Sequence, residues 1–405
     1  MGDGAPTDPT PASPPESNFW EMRRAIPLAV TFSLIMEGLR SNRTIASVYD
    51  PRCNALNFWR LIFASMVVLQ HSWPLTGRDI TGPFAQLFTE VWVDGFFVIS
   101  GFLITSSWMR HPHLRDYLAA RLLRILPGLW VCVLVVAFVI APVGVLLQHG
   151  EPLKFSSQIL WAVNNGLLNV FYVGIDGTPK DVPWPGVWDG TLWTLIFELM
   201  CYAAVAVLGV TGLMKKRWLI PTAFVISLIG AALAGYPTQD FQTVPQMVTR
   251  FALVFSAGAL LYQFRDRLPA NWWLVGLCVG LVVAAGFLPN YRVYAALPLA
   301  YAVMVSGALV KHPRLQLRND ISYGVYIYGW PMQQLMAIID LDRLPAGVFF
   351  LVATAATIPL AAASWFLVEK RAMRLKRRLQ RRAEPETQYL QEGSDAAAES
   401  KVQGH

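Results

Sequence analysis

NALNFWRLIFASMVVLQHSWP, residues 54–74, decides the class of the molecule. It is close to the ~20 apolar residues that carry an α-helix across a hydrocarbon core of ~30 Å. Its only ionisable side chains are Arg60 and His71. Comparable stretches recur near 90–109, 125–147, 190–213, 218–235, 247–264, 272–288, 293–310, 321–339 and 345–368. Together they predict an all-α fold, a polytopic transmembrane helix bundle of about ten spans. Composition agrees. Only 15% of the 405 residues are charged and 55% are hydrophobic, whereas soluble domains carry roughly 25% charged residues.

The basic residues orient the bundle. Arg23, Arg24, Arg40, Arg43 and Arg52 precede the first stretch, and Arg110, Arg115, Arg121 and Arg124 follow the second. Lys215, Lys216 and Arg217, then Arg265 and Arg267, then Lys311, Arg314 and Arg318 follow the fourth, sixth and eighth. A run from Lys370 to Arg382 follows the tenth. The intervening loops hold only Arg78, Lys154, Lys180, Arg292 and Arg343. This alternation places both termini in the cytoplasm and explains the net charge of +7 without any nucleic-acid partner. The implied organisation is a cytoplasmic extension over 1–53, a membrane domain over 54–376 and a polar cytoplasmic tail over 377–405. Residues 1–17 hold five prolines and no Lys or Arg, which reads as disorder rather than a signal peptide. The short apolar run from Ala25 to Met36, flanked by arginines, fits a surface amphipathic helix better than an eleventh span. Cys53, Cys132, Cys201 and Cys278 match no metal or redox spacing, and no metal site is expected.

Ionisable groups inside a bilayer are costly and usually functional. Four stand out: Arg60, His71, Asp94 and Glu198. Arg60 and His71 are eleven residues apart, so steps of ~100° bring them to one helix face, roughly 16 Å apart along the axis. A fixed cation near the cytoplasmic end and a titratable imidazole deeper in suit a long anionic substrate entering from the cytoplasm. Taken singly, Arg60 also reads as an anchor reaching the headgroups, and His71 as an interfacial histidine bonded to backbone. Glu198, in GTLWTLIFELMCY, lies ~12 Å below the outer end of its stretch, a depth from which a carboxylate could orient His71. Asp94 opens the second stretch, where a first-turn acid is equally in place. Gly95, Ser100 and Gly101 read as close helix packing. The longest outer loop, about 149–189, contains DGTPKDVPWPGVWDG, whose Trp and Asp suit either a sugar or interface anchoring.

With these residues in view, the chain resembles the acyltransferase-3 family of integral-membrane acyltransferases. Arg60 and His71 match its arginine, ten-residue gap, histidine signature. VDGFFVISGFLIT, RLLRILPGLW, LWTLIFE, ISYGVYIYGWPMQQ and SWFLVEKRAMR resemble its later motifs in order, over about residues 54–376. The resemblance implies transfer of an acyl group, commonly acetyl from acetyl-CoA, to hydroxyls of envelope glycans, glycolipids or related acceptors at the inner (plasma) membrane. It implies His71 as base or acyl carrier, Asp94 and Glu198 in support, and Arg60, Arg121 and Arg124 on the donor's phosphates. Acyl-CoA would be a substrate, with no permanently bound cofactor. Many relatives carry a histidine where Gly329 stands, so that role does not transfer, and any hydrolase-like partner domain would be separate or absent. A transporter or flippase of a polar envelope precursor is the rival class. Such proteins usually carry internal repeats, and none is visible.

Overall fold

The computed structural model describes residues 43–169, 172–235 and 243–375, together with Gly2. Of the extension expected over 1–53, residues 43–53 are described, and their short helix, Ile45–Val48, buries Ile45 fully; the amphipathic helix expected over Ala25–Met36 and the tail expected over 377–405 lie outside the described residues. Every apolar stretch is helical: α1 (Leu56–His71), α2 (Ala85–Arg110), α3 (Leu114–Leu147), α5 (Thr194–Val210), α6 (Leu219–Ala234), α7 (Val244–Gln263), α8 (Trp272–Ala285), α9 (Arg292–Leu309), α10 (Ser322–Ile338) and α11 (Ala346–Leu375). Five of them, α2, α3, α7, α9 and α11, are long and apolar enough to cross a membrane. Local chemistry sets the ends. Thr243 and Gln246 form a capping box at the start of α7, and the Asn271 side chain accepts from Leu274 N at 2.8 Å to start α8. After His71 the chain tightens into a 3₁₀ turn, Pro74–Thr76, and stops at Gly77, whose φ of 67° is left-handed.

Two elements depart from expectation. Helix α3 begins at Leu114, so Arg115, Arg121 and Arg124 are helical rather than loop residues. The expected outer loop contains α4 (Phe155–Gly166). At 12 residues it is only about 18 Å long, and its serines and asparagines hide it from a search for spans. It turns Gln158, Trp161, Ala162 and Asn165 inward and exposes Phe155, Ile159, Leu160 and Val163. The loop behind it is pinned by its tryptophans. Trp161 donates to Val173 O at 3.1 Å, and Trp188, fully buried, donates to Thr178 Oγ1 at 2.9 Å. Trp188 is therefore neither a sugar platform nor an interface anchor.

Helix α2 packs most extensively on α7. A Cβ on Gly101 would fall on the carbonyl oxygen of Phe255, and one on Gly258 on that of Val98. These two glycines let the backbones touch, the packing that small residues permit between membrane helices. Away from this crossing, α2, α7 and α9 are joined by buried ion pairs. Asp94 binds Arg250 Nε at 3.0 Å and Arg292 Nε at 2.6 Å and accepts from the Tyr291 hydroxyl. Glu90 pairs with Arg292, and with Arg250 at 3.7 Å. Two acids and two bases leave the cluster neutral, which is what permits its burial. A third close approach explains Gly329: a Cβ there would meet Val68 Cγ2 at 2.6 Å, so α10 leaves no room for a larger side chain against α1.

Candidate functional site

A cavity of about 390 Å³ lies between α1, α2, α3, α5, α10 and α11. Its mouth is basic and its interior apolar. Arg60 reaches it from α1, Arg121 and Arg124 from α3, Arg318 from the loop before α10, and Lys370 and Arg374 from α11. A π-helical turn over Trp365–Glu369 sets the register of the α11 residues; such turns recur at functional sites. Beyond the cations the wall becomes Val93, Phe96, Phe97, Leu103, Ile104 and Leu195.

The arginines are not equivalent. Asp320 receives Arg124 Nη2 at 2.5 Å and Arg60 Nη1 at 3.3 Å. Arg124 also approaches Glu369 at 3.6 Å. Asp320 is held from the other side by Ser322, whose backbone N–H (3.3 Å) and hydroxyl both donate to Oδ1. Burial pushes the Asp320 carboxyl up, but Arg124, Arg60 and the Ser322 hydrogen bonds outweigh it and hold it below the usual carboxylate range. Arg121 instead donates to Ser107 Oγ at 2.9 Å, and its guanidinium lies 5.8 Å and 6.0 Å from the Tyr117 and Tyr202 ring centroids. No ion pair engages Arg318 or Arg374 among the described residues.

Glu198 lines the interior, accepting from Ser100 Oγ at 3.2 Å and from the Tyr202 hydroxyl. Thr194 Oγ1 and Tyr326 Oη share a hydrogen bond of 2.6 Å, and Tyr326 also donates to Thr191 O at 3.2 Å. Behind this pair Asp189 holds Thr191 N (2.9 Å) and Oγ1 (2.8 Å) on one oxygen, while the other is buried without a partner. Burial pushes its carboxyl up to about 7 against the lowering effect of Thr191.

Arg60, Arg121, Arg124 and Glu198 are thus brought together; Asp94 and His71 are not on the cavity wall. Asp94 lies well inside α2 rather than in its first turn, and is committed to Arg250, Arg292 and Tyr291. No hydrogen bond joins Glu198 to His71. The imidazole packs edge-on against Trp330 at 4.8 Å, with its Nδ1 buried and unpartnered. Trp330 stands one turn of α10 beyond Tyr326, so His71 lies about 6 Å further along that helix than the end of the cavity. Asp320, Tyr326 and Arg250 escape the sequence reading. Arg250 had a signal, since it sits inside the apolar stretch 247–264 and needs a buried carboxylate. Asp320 had a fainter one, an acid immediately ahead of a span in an otherwise basic loop. Among the described residues no group of three or more His, Cys, Asp or Glu is placed to hold a metal.

An anion-attracting mouth, a narrow apolar interior and a carboxylate among phenols can accommodate a long amphiphilic anion and move a proton near its far end. The chain is 27% identical over 357 residues to Nodulation protein 10 of Rhizobium leguminosarum bv. viciae, covering 80% of this chain and 94% of that protein. It is 27% identical over 338 residues to an O-acetyl transferase of Shigella phage Sf6, covering 79% of this chain and 96% of the relative. No solved structure matches it. The Acyltransferase domain of the acyltransferase-3 family matches residues 54–366, from the start of α1 into the π turn of α11, so the chain belongs to that family and is a membrane acyltransferase.

Proposed function

We propose that this enzyme takes an acyl group, acetyl in the first instance, from acyl-CoA at the basic mouth and transfers it to a hydroxyl of a carbohydrate, glycolipid or related envelope acceptor. In this reading the bundle has ten spans, sits in the inner membrane and keeps both termini in the cytoplasm. The observation that carries the proposal is the cavity, with cations at its mouth and an apolar, phenol-lined end one helical turn short of His71. Arg60, Arg121 and Arg124 bind phosphates, the thin pantetheine arm follows the apolar wall, and the thioester arrives near Tyr326. His71 accepts the proton of the acceptor hydroxyl as its oxygen attacks the thioester carbonyl. The C–S bond breaks, and the CoA thiolate leaves with the proton returned by the imidazolium. The relative described as an O-acetyl transferase supports oxygen as the receiving atom.

The test compares envelope glycans and glycolipids by mass spectrometry from cells with the enzyme, without it, and with His71→Ala. Loss of one discrete acyl mass in the last two identifies both group and acceptor, and thiol release from acyl-CoA by purified enzyme establishes the donor. Full transfer by folded His71→Ala would remove His71 from the mechanism. Absence of any mass change and of thiol release would return the transporter reading.

A further inference from the structure

One acid stands where an anionic ligand is expected. The cavity wall carries six cations, Arg60, Arg121, Arg124, Arg318, Lys370 and Arg374, and two carboxylates, Glu198 and Asp320. Glu198 is engaged by hydroxyls. Asp320 faces the cations and takes two of them from different helices onto one oxygen, Oδ2, whereas Glu369 approaches only Arg124, at 3.6 Å. That is how arginine forks converge on a phosphate. Those forks stay partly open to the cavity, with side-chain exposures of 21% for Arg60 and 19% for Arg124 against 8% for Asp320. A ligand can therefore reach them while the carboxylate is in place. Asp320 itself is fixed by Ser322 at the head of α10, so it cannot follow the arginines if they swing toward a ligand.

The geometry points to Asp320 as the built-in counter-anion of the donor site. It holds the Arg60 and Arg124 forks where an incoming phosphate takes them over, and it weakens the grip of the site on the polyanionic donor and on the CoA released after transfer. This rests on the reading that the cavity takes acyl-CoA. Without a counter-anion two adjacent guanidiniums would repel each other in the empty site and hold CoA so tightly that its release limits turnover. With it, part of the attraction for each phosphate is spent on displacing a carboxylate. Asp320 is thus a positioning residue that sets affinity, not a participant in bond making.

The full chain in nanodiscs of zwitterionic lipid would be titrated with CoA and, separately, with inorganic pyrophosphate, at low and moderate salt. Asp320→Asn is expected to bind CoA about ten-fold tighter at low salt, the scale of one unit charge a few ångströms away in a part-screened site. Its salt dependence should be steeper, and KM and kcat should both fall. Asp320→Glu is expected to restore wild-type affinity. CoA binding by folded Asp320→Asn that equals or falls below wild type overturns the proposal. If Asp320→Asn does not fold, Ser322→Ala, which frees one side of the carboxylate to follow the arginines and leaves both of them paired, carries the test: weaker CoA binding supports the proposal and unchanged or tighter binding overturns it. Should wild type bind no CoA while Asp320→Asn gains affinity for pyrophosphate, the counter-anion stands and the acyl-CoA reading falls. If doping the discs with anionic phosphatidylglycerol abolishes the gain for CoA, the seat belongs to lipid headgroups and the proposal is overturned.

Discussion

Asp94 separates two accounts of this protein, because family resemblance puts it in the chemistry and the structure puts it in a clamp. Its carboxylate accepts from Arg250 Nε at 3.0 Å, Arg292 Nε at 2.6 Å and the Tyr291 hydroxyl, and it is fully buried. Asp94→Ala leaves two guanidiniums with Glu90 alone, so a neutral cluster becomes a net cation in an apolar interior. Removing one partner of a buried pair costs about 3–5 kcal/mol, most of it the penalty on the charges left behind. That is a large share of a total stability of ~5–15 kcal/mol. Asp94→Ala should therefore fold poorly in detergent or nanodiscs. Asp94→Asn combined with Arg250→Met, which restores neutrality, should recover part of the loss, and a double-mutant cycle should give a coupling of roughly 0.5–3 kcal/mol. The assay is denaturant- or heat-induced unfolding alongside acyl transfer per folded molecule. Because Asp94 does not line the cavity, the surviving folded fraction should transfer at close to the wild-type rate. An Asp94→Ala protein as stable as wild type yet inactive would refute the clamp and return Asp94 to the reaction.

Other expectations follow from the same geometry. Gly101→Ala drives a methyl into the Phe255 carbonyl, so it should cost about 1–3 kcal/mol, read as a lower unfolding midpoint, with Gly258→Ala behaving alike across the same crossing. Asp189, pushed up to about 7 by burial, keeps its proton in the fold after the unfolded chain has lost it near ~3.9. Stability should then fall as pH rises between roughly 4 and 7 and level off above, and Asp189→Asn should flatten that fall. Asp320 acts with the opposite sign. Its carboxyl is held low, so its contribution is present above ~3.9 and disappears as pH drops through its folded value; Asp320→Asn should remove that acid-side loss in an unfolding titration.

How far the sequence reached depended on whether a signal was local. Spans are local: about twenty apolar residues must be helical in lipid because no other backbone partner exists there, and each stretch is a helix. The short helix α4 escaped for the same reason in reverse, since its 12 residues are interrupted by serines and asparagines and form no unbroken apolar run. The cation-rich wall was half legible. Arg60, Arg121 and Arg124 carry a spacing, but Arg318, Lys370 and Arg374 look like any positive residue flanking an apolar helix, and only tertiary packing turns them toward the cavity. Asp320 is the clearest case of what spacing cannot show. It lies 260 positions from the arginine of α1 that it neutralises, and nothing in its neighbours reveals that partner.

Depth was read less well than identity, and the reason is physical. Helical periodicity places Arg60 and His71 on one face of α1, but it does not say what fills the space between them. Val68, on the same helix, is pressed by Gly329, and Gln333 donates to Val68 O and Ser72 Oγ at 2.9 Å each. Helix α10 therefore closes against α1 beside the face that carries arginine and imidazole, and beyond Arg60 the cavity is lined by α2, α5 and α10, with Thr194 and Tyr326 on its wall. The Thr194–Tyr326 hydrogen bond lies on the cavity wall one turn of α10 before Trp330, which abuts His71. A substrate arm that follows the apolar wall meets these hydroxyls before it meets the imidazole. If His71 takes the proton, Tyr326→Phe should reduce kcat more than it raises KM, because the phenol lies between the bound arm and its base. If Tyr326→Phe changed neither while His71→Ala abolished transfer, the arm would have to approach His71 from another side of α10, and this cavity would not be its route.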